Sequence, residues 1–128
     1  MKSAASAKPV FDAAAVLALI QGEPGAEKLQ GLQGNALVNA VNVGEVLAKL
    51  VNRGMPPAAA QAAFEALHLE VSPFEPLLAA ASASYVHKGI SLGDRCFLAA
   101  ARQYGAGWTS DRELGTIFGD RVRLSFFR

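Results

Sequence analysis

The sequence predicts an α/β domain built on a mostly parallel sheet. Short apolar stretches alternate with longer alanine- and leucine-rich helical stretches from one end of the chain to the other, the order of elements expected of βα units. With 128 residues, 52% hydrophobic and 18% charged, there is enough apolar surface for one core, and no room for a second domain. No internal repeat or linker interrupts the alternation, so the alanines read as helix formers rather than as low complexity.

Each element has a local reason. Met1 to Lys8 is a small-residue leader without hydrophobic period and is expected to be flexible, leaving 9–128 as the domain. Val10-Phe11 reads as a buried strand ended by Asp12. Ala13 to Gln21 is helical and stopped by Gly22. Pro24 to Gln30 suits a short helix with proline in its first turn. Ala36 to Val41 is the next strand. From Asn42 to Asn52, Val43, Val46, Leu47, Leu50 and Val51 recur at helical spacing, with Glu45, Lys49 and Asn52 on another face. Pro56-Pro57 opens a helix running through Phe64 and Leu67, Leu69 to Val71 is a strand, and Glu75 to Lys88 is a helix capped by Gly89. Leu92 to Tyr104 is apolar on nearly every side and should be a central, buried helix. Gly107 to Thr109 is a strand, Arg112 to Phe118 a helix, and Val122 to Phe126 a closing strand.

A formal charge of +1 provides no global basic field, so a nucleic-acid partner would need a local patch. The lone Cys96 excludes an internal disulfide and a cysteine-rich zinc site, and it suits a reducing compartment. Lys2, Lys8 and the apolar run Ala13 to Ile20 superficially imitate a signal peptide. Pro9 and Asp12 interrupt it, no small-residue cleavage site follows, and the run is too short to span a bilayer. A soluble cytoplasmic protein without membrane contact is the expectation.

Three of the four aspartates, Asp12, Asp94 and Asp111, fall at element junctions, and Glu45 and Asp94 fall in the first turn of helices that follow apolar segments. In a parallel sheet the strand-to-helix turns gather beyond the carboxyl ends of the strands, where ligands bind. The four acids are therefore expected in one cleft, where their repulsion calls for a hard cation such as Mg²⁺ or Mn²⁺. Without metal, one carboxyl of such a cluster should have a raised pKa. A plainer reading competes. Asn42-x-x-Glu45, Ser91-x-x-Asp94 and Ser110-x-x-Glu113 match capping boxes, Asp12 suits an N-cap, and Glu45 stands four residues before Lys49 for an ion pair. Against it, Asp94 beside Cys96-Phe97-Leu98 and Asp12 between Val10-Phe11 and an apolar helix would be costly carboxylates if unpaired.

Four stretches in order carry a resemblance. They are Val10-Phe11-Asp12-Ala13-Ala14-Ala15-Val16-Leu17 followed by Gly22-Glu23-Pro24-Gly25, Ala40-Val41-Asn42-Val43-Gly44-Glu45-Val46-Leu47, Ser91-Leu92-Gly93-Asp94-Arg95-Cys96-Phe97, and Thr109-Ser110-Asp111-Arg112. Together they cover nearly the whole chain after residue 8, and the sequence resembles the PIN-domain ribonucleases, specifically the VapC-like toxins of type II toxin–antitoxin pairs. The resemblance implies an α/β/α sandwich and maps the family's acidic positions onto Asp12, Glu45, Asp94 and Asp111. It further implies Mg²⁺- or Mn²⁺-dependent endonucleolytic cleavage of RNA, homodimerisation, and inhibition by a cognate antitoxin protein. Asp12 and Asp94 are expected as direct ligands, with Glu45 and Asp111 ligating directly or through water. Many members carry Ser or Thr two residues after the first Asp, where this chain has Ala14. The lost hydroxyl weakens the expectation for metal affinity and rate, and Thr109 or Ser110 is the candidate replacement.

Arg95 and Arg112 each follow an acidic position directly and are expected at the rim as phosphate contacts, with Asn42 in support; solvated helix-end charges are the alternative. Gly89-Ile90-Ser91-Leu92-Gly93 matches a nucleophile elbow by letter only, since a helix precedes it and no histidine follows it. His87 is expected to cap a helix end, His68 to sit in a turn, and Cys96 and Trp108 in the core. A receiver domain would need paired acids after its first strand, and a haloacid-type phosphatase a second aspartate at position 14; neither is present. The remaining alternative function is a PIN-like module with weak catalysis that binds RNA or protein.

Overall fold

The computed structural model describes residues 7–128. The expectation for Met1 to Ser6 therefore lies outside the described residues. In chain order the elements are β1 (Lys8–Phe11), α1 (Ala13–Gln21), α2 (Ala26–Gln30), β2 (Leu37–Asn39), α3 (Ala40–Asn52), α4 (Pro57–Glu65), β3 (Glu70–Ser72), α5 (Pro76–Ser82), α6 (Leu92–Tyr104), β4 (Gly105–Thr109), α7 (Arg112–Phe118) and β5 (Leu124–Phe126), with 3-10 turns at Gln33–Asn35 and Ala83–Tyr85. The sheet order is β3-β2-β1-β4-β5, and every pairing is parallel. The α/β expectation holds.

Side-chain alternation in the central strands builds the layers. Phe11 and Val38 point into a core with Val16, Leu29, Val46, Leu50 and Phe64, from α1 to α4. Their neighbours Val10 and Leu37 point to the opposite face and pack with Leu78, Phe97, Leu98, Leu114 and Phe118, from α5 to α7. All four strand residues are fully buried, as a sheet covered on both faces requires. The outcome is an α/β/α sandwich. The central helix is α6, buried continuously from Cys96 to Ala101. Among the described residues, no helix is long and apolar enough to cross a membrane.

Several boundaries differ from expectation. Lys8 belongs to β1, where it pairs with Gly105 and reaches Glu70 Oε1 on β3 at 2.6 Å. The second helix starts at Ala26 rather than Pro24, because Gly25 takes a left-handed conformation (φ 91°) pressed against the Phe127 backbone, where any Cβ would overlap the carbonyl. β2 ends at Asn39 and α3 starts at Ala40. The Asn39 side chain accepts from Val41 N and is the true N-cap, so the apolar residues after it continue as helix. The stretch from Glu75 to Lys88 breaks after Ser82, whose hydroxyl donates to the Ala79 carbonyl, and passes into the 3-10 turn. His87 lies beyond that turn, so it does not cap α5; its Nδ1 lies 3.1 Å from the Lys88 carbonyl. β4 begins two residues early, at Gly105, and β5 two residues late, at Leu124.

Candidate active site

The strand order reverses direction at β1: β2 lies on one side and β4 on the other. Crossovers leave in opposite directions there, which opens a crevice at the carboxyl ends of the strands. Asp12 ends β1 on one lip, its N–H donating to the Trp108 carbonyl of β4 at 3.3 Å. Thr109, Ser110 and Asp111 end β4 on the other lip. Helix α3 leaves the end of β2, and α6, which feeds β4, starts at the same end of the sheet. Asp12, Glu45, Asp94 and Asp111 thereby line one cavity of about 290 Å³, together with Asn42, Lys49 and Ser110 and an apolar wall that includes Ala14, Leu17 and Phe97. The four acids identified in the sequence share that cavity.

Asp12 has the most unusual environment. It caps α1, with Oδ1 accepting from Ala15 N at 2.8 Å. Burial strips water from its carboxyl and pushes the pKa up from 3.8 to about 6. Hydrogen bonds from the Thr109 side chain and the Ala15 backbone oppose the rise, and the nearby Asp94 and Asp111 charges add to it. Thr109 is itself fully buried, and its Oγ1 accepts from Asp111 N at 3.0 Å. One hydroxyl thus accepts from the Asp111 backbone and donates to the Asp12 carboxylate, tying the two acidic lips together. Ala14 lines the cavity without a hydroxyl. Thr109 is the hydroxyl that touches Asp12, while Ser110 lines the cavity.

Glu45 is held from the side. Because α3 begins at Ala40, Asn42 falls in the first turn and Glu45 in the second, so Asn42-x-x-Glu45 is not a capping box. Asn42 is buried and donates through Nδ2 to Glu45 Oε1 at 2.8 Å and to the Gly93 carbonyl of α6 at 3.1 Å. Both neighbours are acceptors, which fixes the amide orientation. Its Oδ1 is buried and has no hydrogen-bond partner among the described residues. The Glu45 carboxylate lies where a side chain on Gly93 would be, 2.2–2.4 Å from an ideal Cβ. Gly93 is a site residue the sequence reading missed. A glycine inside a helix costs about 1 kcal/mol relative to alanine, and that cost was the available signal.

Gly93→Ala separates site from fold. The helical backbone accepts alanine, and the obstructing atoms are the movable end of Glu45. Thermal unfolding should show unchanged or slightly higher stability, up to about 1 kcal/mol. Whatever reaction the cavity carries should slow roughly 10–100-fold, the range for displacing a group that orients a site. Equal activity would mean that the seat of Glu45 is irrelevant.

The remaining acids also cap. Ser91 and Asp94 form a reciprocal capping box at α6, with Asp94 Oδ2 accepting from Ser91 N and Ser91 Oγ accepting from Asp94 N, both at 3.1 Å. Ser91 is thus a cap and not a nucleophile. At α7 the cap is Asp111, accepting from Glu113 N at 3.0 Å, and not Ser110 as the Ser110-x-x-Glu113 pattern suggested. These bonds turn the carboxylates toward their own helices. Among the described residues, no three Asp, Glu, His or Cys side chains are gathered closely enough to hold an ion in the positions they occupy.

Neither expected arginine lines the cavity. Arg95 Nη1 donates to the Ile90 carbonyl at 3.3 Å. Arg112 lies 4.5 Å over the Phe126 ring and donates to the Arg128 carbonyl at 3.3 Å. Successive helix residues point about 100° apart, so standing next to an acid in sequence directs these arginines elsewhere. Cys96 is a buried free thiol with its pKa pushed up by burial. Half-buried Trp108 packs against the core, and His68 occupies a left-handed turn position (φ 54°).

The donors around the cavity suit a hard divalent cation: they are carboxylate, amide and hydroxyl oxygens, without thiolate or imidazole. The partnerless Asn42 Oδ1 and the Asp12 carboxyl, raised in part by its acidic neighbours, are the two features a cation or its water would relieve. Holding one requires the acids to draw closer than they stand, and a carboxylate, with two oxygens, keeps a hydrogen-bond donor on one while the other turns to the ion. The residues fit.

Comparison with known proteins follows the same lines. No curated protein sequence matches the chain. Among solved structures, a chain of a toxin–antitoxin complex from Klebsiella pneumoniae superposes with a TM-score of 0.71 at 16% identity, covering 94% of this chain and 98% of that one. A chain of VapBC2 from Rickettsia felis, bound to a DNA fragment from their promoter, gives 0.68 at 12% identity, covering 92% and 97%. PAE2754 from Pyrobaculum aerophilum gives 0.59 at 21% identity, covering 86% and 85%. At these identities the likeness is one of fold. The family model for the PIN domain matches residues 10–116, from β1 into α7, and the chain belongs to the PIN domain family.

Proposed function

We propose that residues 9–128 form a single metal-dependent endoribonuclease domain, the toxin of a toxin–antitoxin pair, which hydrolyses RNA phosphodiester bonds in the acidic cavity. The observation that carries this reading is the convergence of Asp12, Glu45, Asp94 and Asp111 on one cavity at the switch point of the sheet. When bound, Mg²⁺ or Mn²⁺ supplies a Lewis acid for the phosphate oxygens and a source of hydroxide near neutral pH. Asp12 and Asp94 would hold it directly, and Glu45 and Asp111 would hold it directly or through water. Thr109 keeps the Asp12 carboxylate oriented, and Asn42 does the same for Glu45. Leu17 and Phe97 form an apolar part of the wall beside the acids.

The toxin role is supported by PIN membership and by the fold shared with chains of toxin–antitoxin complexes. An antitoxin suited to this cavity carries an Arg or Lys that enters among the carboxylates. We further propose a homodimer acting in the cytoplasm, where the lone buried thiol of Cys96 remains reduced. A catalytically weak binding module is favoured only by Ala14.

Purified protein should cut single-stranded RNA with Mg²⁺ or Mn²⁺ and fail to do so in EDTA. A gel assay with end-labelled RNA reads this directly, and cleavage undiminished by EDTA would contradict the metal mechanism.

A further inference from the structure

From the way the cavity disposes its charges, we infer that Lys49 is the phosphate-binding cation of the site, gripping the RNA backbone beside the carboxylates; this rests on the nuclease reading above. Lys49 is exposed and lies one helical turn after Glu45 on α3. Spacing alone would pair the two as an ion pair. The structure does not. Glu45 is turned away to Asn42 and lies against Gly93 on α6, and the Lys49 ammonium has no ion pair or hydrogen bond among the described residues. It is also the one Lys or Arg lining the cavity among those residues. The arginines that sequence adjacency brought forward are committed to the Ile90 carbonyl and to Phe126 and the Arg128 carbonyl.

A polyanion entering this cavity meets four carboxylates and needs at least one positive group to approach. An ammonium on a flexible stem suits a phosphate as a point charge, without the planar fork of an arginine. Lys49 lines the same cavity as Asp12, Glu45, Asp94 and Asp111. It is therefore placed to hold a backbone phosphate while the acids manage the cation.

The test compares wild type with Lys49→Met, which keeps length and removes charge, and Lys49→Arg, which keeps charge. Steady-state cleavage of a short fluorogenic RNA is measured with Mn²⁺ across a salt series, alongside the Mn²⁺-induced shift in melting temperature. Lys49→Met should lower kcat/KM about 10–100-fold and flatten its salt dependence by roughly 0.7–1 in the log–log slope, the loss of one phosphate contact. Lys49→Arg should restore most of both. The Mn²⁺ shift should stay at the wild-type value or rise slightly, since no ligand is removed. Wild-type activity and salt slope in Lys49→Met would overturn the inference. So would a faster Lys49→Met enzyme with a larger Mn²⁺ shift, which would make Lys49 a competitor of the cation. If wild type itself cuts no RNA, the nuclease reading falls separately. Anisotropy titrations of labelled RNA, with the same variants and salt series, then decide the Lys49 contact by the same slope difference.

Discussion

Asp12→Asn should abolish cleavage and at the same time make the metal-free protein more stable. Asparagine is as good an N-cap as aspartate, so the first turn of α1 keeps its acceptor for Ala15 N. What disappears is a charge that burial penalises first and that the Asp94 and Asp111 carboxylates disfavour further, which together hold the Asp12 pKa at about 6 against 3.8. A folded-state pKa above the unfolded one binds its proton more tightly in the native protein. The associated stability is full below about pH 3.8 and is lost as pH rises through about 6. The gain from Asp12→Asn should therefore emerge between those values and level off near neutral pH, at roughly 1–3 kcal/mol. Urea unfolding in EDTA at pH 4, 5, 6 and 7.5 measures it. Cleavage with Mn²⁺ should fall by roughly 10³-fold or more, equivalent to about 4 kcal/mol of transition-state stabilisation. A variant that is destabilised at pH 7.5 in EDTA would return Asp12 to the role of a plain cap.

Thr109→Val is expected to damage both properties. Valine matches the shape of threonine, so packing in the fully buried position is kept. Two polar partners are stranded: Asp111 N loses its 3.0 Å acceptor, and Asp12 loses the hydrogen bond that opposes its raised pKa. Removing one partner of a buried pair costs about 1–3 kcal/mol, and stability at neutral pH should drop by that amount. With its carboxylate less well solvated, Asp12 should titrate above about 6, which shifts the acid limb of the pH–rate profile upward. Activity should decline about 10–100-fold. Thr109→Ser should retain most function, because the hydroxyl is the working group. Equal losses in Thr109→Ser and Thr109→Val would assign the effect to the missing methyl.

The sheet, the sandwich and the four acids were legible for one reason. Parallel strands buried on both faces are short apolar runs, and residues that end them are brought to one edge by topology. Asp12, Asp94 and Asp111 could be found at those junctions because a carboxylate there caps a helix and also lines the cavity. That double use also means capping patterns and site patterns coincide in sequence, as Ser91 and Asp94 show. The arrangement around Glu45 was not legible. Ala36 to Val41 reads as one strand only if Asn39, a favoured N-cap residue in the middle of the run, is passed over; the start of α3 at Ala40 follows from that cap. Only the contact across to Gly93 reveals that Glu45 leaves Lys49 alone. Local rules pair Glu45 with Lys49 and aim Arg95 and Arg112 at phosphates; in the structure Glu45 meets Asn42, Arg95 the Ile90 carbonyl, and Arg112 the Phe126 ring and the Arg128 carbonyl.

Thermal unfolding of wild type and Asp12→Asn, each in EDTA and with Mn²⁺, bears most directly on the acids acting together on a cation. A cation that binds only the folded state raises stability by mass action, about 2.7 kcal/mol at a hundredfold excess over its Kd. Wild type should start lower in EDTA and rise strongly with Mn²⁺, while Asp12→Asn starts higher and gains little. Equal Mn²⁺-induced gains in the two proteins would show that Asp12 holds no metal and acts only as the cap of α1.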